Sequence, residues 1–117
     1  MTIRRLKTYA GSQGYVYQYY FVGQRPSDGP PPGTEYVFDV TSDRKLTYSV
    51  SILLPRSVVL AWVGSHSRPL SDSEQYAAVK LRLFRGFDEV GNMQAEGRQL
   101  QVEPEFIEQA LASLGVE

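Results

Sequence analysis

The chain has 117 residues, 42% hydrophobic and 21% charged, with a net charge of −1. That length suits a single domain spanning residues 1–117, and the composition is globular, not disordered or fibrous. Cysteine is absent, which excludes disulfides, thiolate nucleophiles and every cysteine-ligated zinc or iron–sulfur centre.

No run approaches the roughly 20 apolar residues that span a bilayer. After Arg4, Arg5 and Lys7 the chain lacks the unbroken apolar stretch of a secretory signal, so a cytoplasmic protein without a membrane segment is expected. Charge is uneven along the chain. Residues 1–87 carry eleven Lys or Arg against six Asp or Glu, whereas residues 88–117 carry one Arg against seven acids. Those acids fall in an amphipathic pattern and read as the solvated face of a helix.

Three strand-like runs come first, at residues 15–22, 35–41 and 46–54. In the first, Tyr17, Tyr19 and Phe21 share one face and Val16, Gln18, Tyr20 and Val22 the other. In the second and third, Tyr36, Phe38, Val40 and then Tyr48, Val50, Ile52 and Leu54 alternate with mostly polar residues. Keeping apolar with apolar gives one aromatic and aliphatic face, which needs a helical cover, and one face rich in hydroxyl, amide and carboxylate groups. Residues 23–33 are rich in Pro and Gly, so a long flexible hairpin loop is expected there. The polar turn Ser42–Lys45 fits a tight hairpin.

Helical spacing follows. Pro55 suits a first helical turn, with Val58, Val59, Trp62 and Val63 on one stripe and Gly64 as the stop. Ser71 to Glu74 is a capping box, predicting a helix to about Phe87 or Asp88. Its apolar stripes are Tyr76, Lys80, Leu83, Phe87 and Ala77, Leu81, Phe84, with Arg82, Arg85 and Glu89 opposite. A last helix runs from Pro104 to about Gly115, and Leu100 and Val102 suggest a short edge strand within 97–102. These elements predict an α+β fold: an antiparallel meander of three or four strands with about three helices packed mainly on one face.

Catalytic signatures are sparse. His66 is the single histidine, placed in an expected loop with Ser65, Ser67, Asp72 and Glu74 nearby in sequence but no readable partner. One histidine and no cysteine make none of the usual zinc spacings, and Gly11–Gly14 lacks the lysine of a phosphate-binding loop. No cofactor or metal is expected. The polar face of the sheet is the candidate binding surface, with Gln18, Tyr20, Asp39, Thr41, Ser49 and Ser51 as its residues and Tyr20 as anchor. The expected function is a non-enzymatic protein-interaction or self-association module. The alternatives are a small-ligand-binding domain or small enzyme with a pocket between sheet and helices, and a single-stranded nucleic-acid binder stacking bases on the tyrosines.

Overall fold

Alternation carries through in the computed structural model, which describes residues 6–117 and has the expected α+β class. Its strands are β1 (Lys7–Ala10), β2 (Val16–Ser27), β3 (Gly33–Thr41), β4 (Tyr48–Pro55) and β5 (Gln99–Gln101), in that order across one sheet. The first four form an antiparallel meander, and β5 joins β4 in parallel. The helices are α1 (Arg56–His66), α2 (Asp72–Glu89), the single turn α3 (Met93–Glu96) and α4 (Pro104–Ser113).

The loop expected over 23–33 is much shorter. β2 runs through Gly23 and Pro26 to Ser27, and β3 begins at Gly33, so only residues 28–32 connect them. Two features explain the extension. Val22 is an extra residue between the Phe21/Phe38 and Gly23/Val37 pairs, a bulge that absorbs the local irregularity. Beyond Tyr19, β2 has no described partner on its β1 side, so Pro26 is tolerated on an edge where its missing N–H costs no ladder bond. Bulge and proline together blunt that edge against unwanted strand addition. Gly33 lets the start of β3 lie close against the end of β4: a Cβ there would meet the Leu54 carbonyl oxygen and lie 2.7 Å from Pro55 Cα.

The covered face is aromatic. α2 lies along β2, with Tyr17 stacked on Phe87 at 4.2 Å between ring centroids, Tyr9 on Phe84 at 4.4 Å, and Phe21 edge-on to Tyr76 at 5.0 Å. Phe38, Val50, Ile52, Val79, Leu83 and Leu111 complete the buried core. Tyr76, Leu83 and Phe87 therefore face the sheet as expected, but Val79 and Ala78 fill the stripe where Lys80 and Ala77 were placed. Arg82 is not on the solvent side either. It is half-buried and donates from Nε to the Gln101 carbonyl at 2.9 Å, clamping β5 to α2.

α1 runs past Gly64 to His66, with Ser67 taking the left-handed turn at φ 54°. The added turn is held by side chains: His66 stacks on Trp62 at 4.1 Å, and its Nε2 lies 2.9 Å from Glu108 Oε2 on α4. The capping box forms as expected. Ser71 Oγ accepts from the Glu74 N–H at 3.2 Å, and Glu74 accepts from the Ser71 N–H at 2.9 Å while pairing with Arg68 at 2.7 Å. No helix among the described residues is long and apolar enough to cross a membrane.

Truncating Phe87 to Ala removes the ring that Tyr17 stacks on in a fully buried site. This should cost about 3–5 kcal/mol, read as a fall in the midpoint of chemical unfolding. Glu74 gives a pH signature. The Ser71 backbone N–H, followed by the Ser71 hydroxyl and the Arg68 charge, holds its carboxyl below the usual range. Its stabilising contribution is therefore complete above the ordinary carboxylate pKa of about 4.3 and is lost as pH falls through the lower folded value. Glu74→Gln should be less stable than the wild type at pH 7, and the gap should narrow as acid protonates the Glu74 carboxyl.

Candidate functional site

Strand alternation that sends Tyr17, Tyr19, Phe38, Val50 and Ile52 under the helices sends their neighbours to the opposite face. Among the described residues no helix packs on that face. All six residues expected to form a site lie on it, and cross-strand register arranges them in rows. Gln18 stands opposite Thr41; Tyr20 opposite Asp39, which in turn faces Ser49; and Ser51 lies between Val37 and Gln99.

The central row is hydrogen-bonded. Tyr20 Oη donates to Asp39 Oδ2 at 2.7 Å, and Ser49 Oγ approaches Asp39 Oδ1 at 3.4 Å. Both oxygens thus accept one neutral donor and keep further acceptor capacity. No cation among the described residues forms an ion pair with Asp39. Thr41 is less available than its position suggests, because its hydroxyl accepts from the Arg44 N–H at 3.0 Å within the β3–β4 turn. Asp43 organises the same turn. The Leu46 and Lys45 backbone N–H groups, 2.9 and 2.8 Å from Oδ1, hold its carboxyl below the ordinary range.

Sequence reasoning left several residues out of the site. The bulge at Val22 resets alternation, so Arg25 turns to the open face and pairs with Glu35 across the strands. Leu53, Gln99 and Gln101 add the far side of the face through β5, whose register no local pattern reveals. Three shallow depressions surround the central row. One of about 460 Å³ lies between Ser49, Ser51, Glu96 and Arg98, and a second of about 330 Å³ between Glu35, Leu53 and Gln101. The third, of about 340 Å³, is bounded by Tyr15, Gln18, Thr41 and Arg44 at the turn end of the sheet. The first two share Ser51 and Gln99 and form one continuous trough along β4 and β5.

Charge is scarce on this surface. Among the described residues its strand positions carry only Arg25, Glu35 and Asp39, the first two neutralising each other, while Arg44, Glu96 and Arg98 stand at its rim. Apolar groups are interspersed: Val16 is 49% exposed and Val22 38%, with Val37 and Leu53 half-buried between polar neighbours.

His66 lies elsewhere, at the end of α1, not in a loop. Its hydrogen-bond partner is Glu108, not the nearby Asp72 or Glu74, and among the described residues no serine hydroxyl reaches the ring. Glu74 is fully engaged by Ser71 and Arg68. Among the described residues no three acidic or histidine side chains gather as metal ligands. A further groove of about 370 Å³ runs between α2 and α4 over Leu81, Phe84 and Phe106, with Arg85 stacked 5.4 Å from the Phe106 ring. Comparison with known proteins finds no family model, no curated relative and no solved structure that matches this chain.

Proposed function

We propose that this chain is a non-enzymatic protein-interaction module that docks its partner on the open face of the sheet. The observation that carries the reading is the composition of that face. A broad surface on which no described helix packs, with one unneutralised charge at its described strand positions, the charges of Arg44, Glu96 and Arg98 kept to its rim, and apolar side chains among hydroxyls and amides, has the charge depletion typical of the centre of a protein interface. Tyr20 is the anchor, held by its 2.7 Å bond to Asp39 and so preorganised before binding. A cysteine-free chain fits a reducing compartment, and the cytoplasm is the proposed setting.

The competing readings draw less support. A small enzyme would need polar groups converging on a pocket between sheet and helices, yet the described interior is filled by apolar and aromatic side chains and holds no buried charged residue. A single-strand nucleic-acid binder would need its tyrosines as a stacking platform. Tyr17 and Tyr19 are spent in the core, and the central carboxylate of the open face repels phosphate.

The test is recovery of the tagged full chain from its native cells, followed by mass and composition of the complex. The wild type should carry a stoichiometric protein partner or form a homo-oligomer. Ser51→Arg, which places a long charged side chain in the middle of the face, should lose that association at least tenfold. Leu60→Arg, on the outer side of α1 where Leu60 is 61% exposed, should retain it. A bare wild-type monomer, or an association that Ser51→Arg leaves intact, contradicts the reading.

A further inference from the structure

Asp39 points to the chemistry of the partner, on the basis that the open face is the docking surface. We infer that the face receives a protein segment presenting an arginine or lysine between aliphatic side chains, the cation seated on Asp39 and the aliphatic groups on Val22, Val37 and Leu53.

Two observations lead there. First, charge. Asp39 is half-buried on the central strand, and among the described residues its oxygens accept only the neutral Tyr20 and Ser49 hydroxyls; Glu35 is already neutralised by Arg25, and Arg98 donates from Nε to the Ser49 carbonyl at 3.1 Å without an ion pair to Asp39. Covering an ionised carboxylate without a counter-charge is costly, so a partner that buries Asp39 must bring a cation. An arginine fork suits the remaining lone pairs best. Second, symmetry. β3 is the middle strand of five, so a second copy laid face to face across a two-fold axis running along β3 would bring the two Asp39 carboxylates together in a desolvated contact.

The same features also fix how the segment is read. Aliphatic side chains of the partner fill the space beside Val22 and Val37 without demanding hydrogen bonds, and they exclude water from the ion pair that gives specificity. A nucleic acid fails the same requirement, since its phosphates would meet the carboxylate.

A displayed library of random dodecamer peptides, selected on the full wild-type chain and counter-selected on Ser51→Arg, tests the inference. Enriched peptides should carry Arg or Lys flanked by aliphatic residues and should lose at least tenfold in affinity for Asp39→Asn, which keeps the Tyr20 bond geometry but removes the charge. Peptides that bind the face with no basic residue, or that bind Asp39→Asn equally well, overturn the cation while leaving the docking face standing. Enrichment that ignores Ser51→Arg, or no enrichment at all, overturns both. Sedimentation of the two proteins covers the remaining case: a dimer that tightens in Asp39→Asn identifies a second copy as the occupant and also overturns the inference.

Discussion

The stacking of α2 on β2 decides which half of the molecule is closed and which is open. Tyr17 lies on Phe87 with an interplanar angle of 7°, Tyr9 on Phe84 at 8°, and Tyr76 meets Phe21 and Phe38 further along the helix. Aromatic pairs of this kind bury large areas and add about 0.5–1.5 kcal/mol each beyond burial. The helix runs along a strand that carries aromatic rings at alternate positions, so the contact also fixes the register between helix and sheet. A one-residue slip in β2 would present Gln18 and Tyr20 to Phe84 and Phe87 and turn Tyr17 and Tyr19 to solvent.

Everything on the opposite face follows from that choice. With the rings committed to the core, β2 offers Val16, Gln18, Tyr20 and Val22 outward, and β3 and β4 add Asp39, Ser49 and Ser51. The bulge at Val22 then redirects Arg25 to meet Glu35, so the same local irregularity that blunts the sheet edge also cancels one of the two acids on β3. Among the described strand positions of the face, Asp39 is left as the one unneutralised charge. A chain whose second face had only to stay hydrated would tolerate more charge there; the scarcity is the physical basis for reading the face as a contact surface.

The legible parts of the fold were those with strong local signals. β3 and β4 alternate cleanly because one side is fully buried, the Ser71–Glu74 capping box marks α2 in four residues, and Pro104 marks α4. All six residues expected on the polar face share it, because alternation alone determines the face once the aromatic side is covered. The rest depended on tertiary context. β1 is only four residues long, with one core-facing aromatic, Tyr9, and too few positions to show a period. Pro26 and Gly23 read as breakers although an edge with no described partner and a bulge accommodate both. α1 passes Gly64 because Glu108, 42 residues distant, holds His66 in place. Arg82 looks solvent-facing on a helical wheel, yet β5 supplies a carbonyl for it.

The most direct test of the open face as the functional surface is site-specific photocrosslinking of the full chain in its native cells. A photoreactive side chain at Val16, exposed on the open face, is compared with one at Leu60, exposed on the outside of α1. Our account predicts a single discrete protein adduct from position 16 and none from position 60. An adduct from position 60 with none from position 16 would contradict it.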